Sequence, residues 1–324
     1  MREPEVLERA RGLVLGAAYG DALGARYEGL HYKPRPERVR LGRGVLFWRS
    51  PGWWTDDTDM SLGVLLSIAE SGPASTEETR SAILRQWLTW YSRASRIDMG
   101  VWTSRVLRRV SRIDNPTAAE ARTVAFWLKR RAHQGGGNGT VMRSGAVALG
   151  NIGDPQGCYD AAVAVAAITH PNEVAGQAAG IWAVLCERAM ATGKLDLGAA
   201  LAVAPPEWGQ RFSTATPCGS NGRSGWAVAT VLDAWWCVTE AQREHKSSSC
   251  LDLAARLAVS ASSDPDTTAS VACALAGSLY GAGAVPETAL ARIYGGKWTG
   301  RVWRAGDLEA LVQKIIHRDS EVVG

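Results

Sequence analysis

Apolar residues along this chain recur mostly at three- and four-residue spacing, and alternating strand-like runs are scarce. Val6, Leu7, Ala10, Leu13, Val14, Ala17 and Ala18 share one face of a first helix. The same periodicity predicts further helices over roughly 58–71, 77–93, 99–113, 117–132, 157–168, 172–192, 225–243, 250–261, 266–281 and 306–317. Two Ala-rich runs, at 161–167 and 269–277, are small all round, which suits helices packed closely in a core. The pattern predicts an all-α fold, a compact orthogonal helical bundle. Irregular stretches at 31–57, 133–140, 205–224 and 294–305 are rich in Gly, Pro, Ser or Trp, and connections this long are uncommon without a function.

No tandem period and no low-complexity linker divides the 324 residues, so 1–324 is expected to form a single domain. Hydrophobic residues make up 46% and charged residues 21%, and no run of about 18 apolar residues suggests a membrane span, so a soluble protein with no membrane partner is expected. Met1 to Glu5 starts acidic and leads straight into an amphipathic segment, unlike a secretory or transit leader; the cytoplasm is the expected location. The six cysteines include no CxxC pair and sit in helix-like apolar surroundings, as buried free thiols do. A net charge of +4 is small for this length and the arginines look scattered, so nucleic acid is not a required partner, while an anionic substrate is compatible.

Chemistry concentrates at two acidic clusters far apart in sequence. Thr55-Asp56-Asp57-Thr58-Asp59 opens one predicted helix and Asp264-Pro265-Asp266-Thr267 another. Either alone is also what a helix cap looks like. One Asp or Thr suffices for capping, however, and three Asp in four positions repel unless a proton or cation neutralises them. Carboxylates with neighbouring Thr hydroxyls are the hard oxygen donors that Mg²⁺ and Mn²⁺ prefer, so the clusters are expected to converge as halves of one site for one or two such ions. An EF-hand is excluded, because a loop starting at Asp264 would place Ala269 and Leu275 where Gly and Glu are needed.

Gly135-Gly136-Gly137-Asn138-Gly139-Thr140-Val141-Met142-Arg143 is a glycine-rich turn whose bare amides suit a phosphate; a flexible loop is the alternative. It lacks the Lys of a Walker loop, so triphosphate hydrolysis is not indicated. His170 precedes Pro171, where a helix must break, and is a structural or a functional histidine. Gly20-Asp21-Ala22-Leu23-Gly24 ends the first helix ahead of Glu28, with Asp21 a candidate cap partner, and Asp98-Met99-Gly100 is a further helix-start candidate.

Taken in order, these segments resemble the ADP-ribosylglycohydrolase family, the helical enzymes that include the dinitrogenase-reductase-activating glycohydrolases. The resemblance runs from Gly16–Gly24 with Glu28, through Trp54–Met60, Asp98–Gly100, Gly137–Arg143, Ile168–His170 and Gly225-Trp226, to Asp264–Thr267, about residues 10–285. It implies a dinuclear magnesium or manganese site held by Thr55, Asp56, Asp57, Asp264, Asp266 and Thr267. It also implies a substrate loop in which Gly137, Asn138 and Gly139, with Thr140 beside them, and His170 hold the diphosphate and adjacent ribose. Asp98, Met99 and Gly100 would line the distal ribose, and Trp226 occupies a position often aromatic. Glu28 or Asp98 would manage protons in hydrolysis of the glycosidic bond between ADP-ribose and a modified protein, with ADP-ribose as product.

Arginine-linked ADP-ribose is the first substrate by this resemblance, with serine-linked and nucleic-acid-linked ADP-ribose and a silent ADP-ribose-binding relative as alternatives. The family commonly reads Gly-Gly-Asp-Thr-Asp-Thr at its second metal motif, whereas this chain reads Ser262-Ser263-Asp264-Pro265-Asp266-Thr267. That places the question of turnover on this loop. A rival chemistry, phosphohydrolysis on a haloacid-dehalogenase-like Asp264-x-Asp266-Thr267, needs a preceding strand, but 251–258 reads helical.

Overall fold

The computed structural model describes residues 3–30, 33–44, 50–94, 99–132, 135–245 and 247–322. The chain is helical almost throughout: α1 (Glu3–Gly24), α2 (Asp56–Ser71), α3 (Glu77–Arg93), α4 (Val101–Val110), α5 (Ala118–Ala132), α6 (Ser144–Ala148), α7 (Pro155–Ala167) and α8 (Glu173–Thr192). There follow α9 (Leu197–Ala202), α10 (Glu207–Ser213), α11 (Ala227–Glu244), α12 (Ser249–Ala261), α13 (Pro265–Tyr280), α14 (Glu287–Leu290) and α15 (Ala305–Val322). Each long periodic segment in the sequence becomes a helix. The short α9 and α10 do not appear in the periodicity because six or seven residues are too few to trace an apolar stripe. The irregular 294–305 stretch contains a two-residue antiparallel ladder, β1 (Tyr294–Gly295) with β2 (Trp303–Arg304).

Two helices, α8 and α13, form the interior and are buried along most of their length. The small residues flagged at 161–167 lie in α7 against α8, where Gly180 leaves room for the Tyr159 ring. The tightest contact is between α1 and α13. Gly12, Gly16, Gly20 and Gly24, one per turn, face Gly277, Cys273, Ala269 and Asp266, and a β-carbon at any of the four would overlap the α13 backbone. Backbone approach this close maximises dispersion contact along the whole interface. It also joins the end of α1 to the start of α13, so the turn carrying Glu28 emerges beside the second acidic cluster.

All six cysteines are buried and free, as expected. Trp54, Trp298 and Trp303 are packed inside, so the loop tryptophans anchor structure. No helix among the described residues is long and apolar enough to cross a membrane. One sequence expectation is corrected here. The arginines are not all scattered in space: Arg105, Arg108 and Arg109 of α4, Arg112 of the turn after it and Arg131 of α5 line one groove.

Candidate functional site

The two acidic clusters meet. Each begins a helix, α2 on one side and α13 on the other, and their N-termini face a cleft of about 300 Å³ lined by Glu28, Asp56, Asn138, His170, Asp264, Asp266 and Thr267, among others. Thr267 Oγ1 lies 3.4 Å from Asp57 Oδ2, which directly joins the two walls.

The α2 wall is held from behind. Asp21, at the end of α1 and wholly buried, accepts from the backbone N–H of Thr55 (2.9 and 3.0 Å to its two oxygens), the N–H of Thr58 (3.0 Å) and the Thr58 hydroxyl (2.5 Å). Thr55 caps α2, its hydroxyl 3.1 Å from Asp57 Oδ2. The third acid of the cluster points elsewhere: Asp59 Oδ1 accepts from Trp54 Nε1 at 2.9 Å and Gly296 N at 3.1 Å, tying the wall to the β1–β2 ladder. Of the five carboxylates of the two clusters, Asp56, Asp264 and Asp266 line the cleft, and Asp57 is buried against Thr267.

The α13 wall is built differently. Ser262 Oγ accepts from Asp264 N at 3.0 Å and lies 2.8 Å from Thr268 Oγ1, closing the loop on itself. Pro265 stands in the first turn of α13, where its missing N–H leaves nothing unsatisfied. Asn138 Nδ2 donates to Asp264 Oδ2 at 2.7 Å, so this wall is fastened to the glycine-rich loop. Asp264-x-Asp266-Thr267 follows helix α12 rather than a strand, which removes the structural setting the phosphohydrolase rival requires.

Burial, followed by the charges of Asp21, Asp56 and Asp264, pushes the Asp57 carboxyl well above the usual range. Asp266 rises in the same way, through burial and then Glu28, Asp264, Asp57 and Asp21. Asp57 Oδ1 and Asp266 Oδ1 are buried and have no hydrogen-bond partner. Two orphaned carboxylate oxygens on facing walls are what a hard cation would satisfy, and the donor set is all oxygen. The fit rests on donor chemistry and not on a finished cage: among the described residues no three acidic, imidazole or thiol groups are drawn around one point.

Opposite the carboxylates lies the glycine-rich turn. Asn138 N donates to Gly225 O at 2.9 Å and Ala227 N to Gly136 O at 3.1 Å, pairing the turn with the segment before α11. A β-carbon at Gly139 would come within 3.2 Å of the His170 ring, so glycine lets the turn lie against the imidazole. His170 is oriented by a buried chain. Arg143 stacks on Trp87 at 4.1 Å, and its Nη2 donates to Thr169 Oγ1 at 2.7 Å. That oxygen lies 2.8 Å from His170 Nδ1, so the guanidinium orients the imidazole through the Thr169 hydroxyl. Burial and the nearby Arg143 hold the His170 pKa well below its ordinary value, so the ring is neutral on the cleft wall.

The remaining candidates divide by position. Gly100, Gly137 and Gly139 line the cleft, while Thr140 is buried and pins the turn through Ala175 O at 3.2 Å. Met99 is buried in the core beside it, and Trp226 pairs with Gly137 through its backbone, with Gly225 at the cleft in its place. Asp98 lies outside the described residues. Sequence reasoning missed Trp102, Thr103 and Met142 in the lining, and the supporting roles of Asp21, Arg143, Thr169 and Ser262. Asp21 and Arg143 did stand inside the quoted motifs, but only spatial contacts separate a cap from a brace.

The chain is similar to known proteins along most of its length. The family model described as ADP-ribosylglycohydrolase matches residues 2–321. The chain is 25% identical to the ADP-ribosylarginine hydrolase Tri1 of Pseudomonas putida (strain GB-1), over 98% of this chain and 80% of that protein. It is 32% identical to the ADP-ribosyl-[dinitrogen reductase] glycohydrolase of Rhodospirillum rubrum, over 55% of this chain and 56% of that one. A solved structure titled ADP-ribosylglycohydrolase-related protein complex superposes with a TM-score of 0.72 at 27% identity, covering 97% of this chain and 99% of its own.

Proposed function

The chain belongs to the ADP-ribosylglycohydrolase family, and from that premise we propose that it hydrolyses the glycosidic bond between ADP-ribose and an arginine side chain of a modified protein. The linkage is supported by relatives named for ADP-ribosylarginine and for ADP-ribosylated dinitrogen reductase. The observation that carries the chemistry is the pair of orphaned oxygens on Asp57 and Asp266, on walls that meet at Thr267.

One or two Mg²⁺ or Mn²⁺ ions held by Thr55, Asp56, Asp57, Asp264, Asp266 and Thr267 would supply charge neutralisation and Lewis acidity. The other steps belong to the chain. The amides of Gly137 and Gly139 donate to a diphosphate beside the neutral ring of His170, without adding a positive charge there. Positive charge that develops at the anomeric carbon is steadied by the cleft carboxylates. Glu28, on the turn after α1, is placed to move the proton between water and the leaving guanidine.

The test is release of free ADP-ribose from an arginine-modified protein with and without Mn²⁺. Asp56→Ala and Asp266→Ala are each expected to lower release by about 100-fold or more. Release from serine- or nucleic-acid-linked ADP-ribose but not from arginine would overturn the linkage, and no release from any of them would overturn the activity.

A further inference from the structure

A second concave surface, about 460 Å³, lies between α4 and α5 and is lined by Arg105, Arg108, Arg109, Arg112, Arg131 and Trp127. Among the described residues no carboxylate pairs with Arg108, Arg109, Arg112 or Arg131. On the C-terminal side the next acids in sequence are Asp114, and Glu120, which is occupied by Thr117. Like charges one helical turn apart repel, so Arg108, Arg109, Arg112 and Arg131 gain stability from an anion laid against them.

We propose that this groove binds single-stranded nucleic acid. Three features favour that partner. Arg108 and Arg109 in the last turn of α4, Arg112 in the turn after it and Arg131 on α5 line one groove, so the charge comes from both of the helices that form it. All four of these cations are guanidiniums, whose planar fork matches phosphate oxygens and also stacks on rings. The groove holds an aromatic platform, too: Trp127 is 55% exposed, is backed by the Arg130 guanidinium at 5.5 Å, and meets the edge of the exposed Phe126. A basic groove with an open aromatic ring is how strands are held without sequence preference, bases stacking while phosphates take the charge. An acidic protein face uses the charge but has no ring for Trp127. The groove opens close to the cleft, since the first turn of α4 supplies the cleft residues Trp102 and Thr103.

The proposal is independent of which linkage the cleft hydrolyses, and these side chains are exposed, so substitution leaves the fold intact. Binding of a fluorescent single-stranded oligothymidylate is read by anisotropy at about 50 and about 200 mM salt. Affinity is expected to fall steeply with salt. Arg108→Glu with Arg109→Glu lowers it by about tenfold or more, and Trp127→Ala by about fivefold or more. The charge-matched control Arg43→Glu with Arg85→Glu, on exposed residues elsewhere, leaves it nearly unchanged. Absence of binding at the lower salt overturns the proposal. So does equal loss in the control pair, or competition by poly-glutamate as effective as by unlabelled strand, which would mark a general anion surface.

Discussion

The two acidic walls carry similar ligands but are supported in different ways. The α2 wall is fastened through its backbone: Asp21, sealed beneath it, holds the amides of Thr55 and Thr58, and no substrate-facing residue takes part. The α13 wall is fastened through side chains, Ser262 behind it and Asn138 in front, and Asn138 belongs to the loop assigned to the diphosphate. One wall is thus part of the scaffold, and the other responds to what the substrate loop does.

Removing the scaffold brace is expected to have the largest effect. Asp21→Ala leaves two buried N–H groups and a hydroxyl without their acceptor, each worth about 1–3 kcal/mol, so a loss on the order of 3–5 kcal/mol is expected after relief of charge repulsion. Denaturant unfolding measures it. Asp264→Ala, on the side-chain-braced wall, is expected to cost less than half as much, because the contact between Ser262 and Thr268 remains. Equal losses in the two variants would erase the distinction between the walls.

The second test uses pH. Burial raises the folded-state pKa of Asp57 and Asp266, and pushes Asp59 up to about 7. The folded protein then holds more protons than the unfolded chain from about pH 4 upward, so metal-free stability falls as pH rises through the raised values. A divalent cation needs those carboxylates ionised, and its affinity grows over the same interval. Thermal unfolding with and without Mn²⁺ is therefore expected to diverge as pH rises above the ordinary carboxylate range, by about 2.7 kcal/mol once the ion exceeds its Kd a hundredfold. A Mn²⁺ shift that is constant with pH would argue against protons and metal sharing the Asp57–Asp266 oxygens.

How much of this was legible in the chain follows from what each signal depends on. Helices such as α8 and α13 were legible because burial imposes a repeating apolar pattern over four turns or more, whereas α10 is a single pair of turns and leaves none. Both walls were legible because uncompensated charge is conspicuous in any sequence. Asp21 was not, since a carboxylate that caps its own helix and one that braces another look alike until the partner amides are placed. The α1–α13 contact does have a signal, glycine at every fourth residue from Gly12 to Gly24, but its meaning depends on a partner helix far away in sequence. The α4 arginines likewise become a cluster only when wound onto one face.

The smallest expected effect bears on the altered loop of the α13 wall. If Ser262 and Pro265 were damage to a metal motif, returning glycine at 262 would raise turnover. The contacts argue the reverse: Ser262 Oγ satisfies the buried end of the loop at Asp264 N and Thr268, and glycine would remove both contacts while freeing the unfolded chain. Ser262→Gly is expected to lower the unfolding free energy by about 1 kcal/mol and to leave ADP-ribose release at or slightly below the parent rate. A clear gain in release would mean that the hydroxyl restrains a movement the wall needs when Asn138 engages substrate, and the substrate-coupled wall, not the scaffold wall, would then limit the reaction.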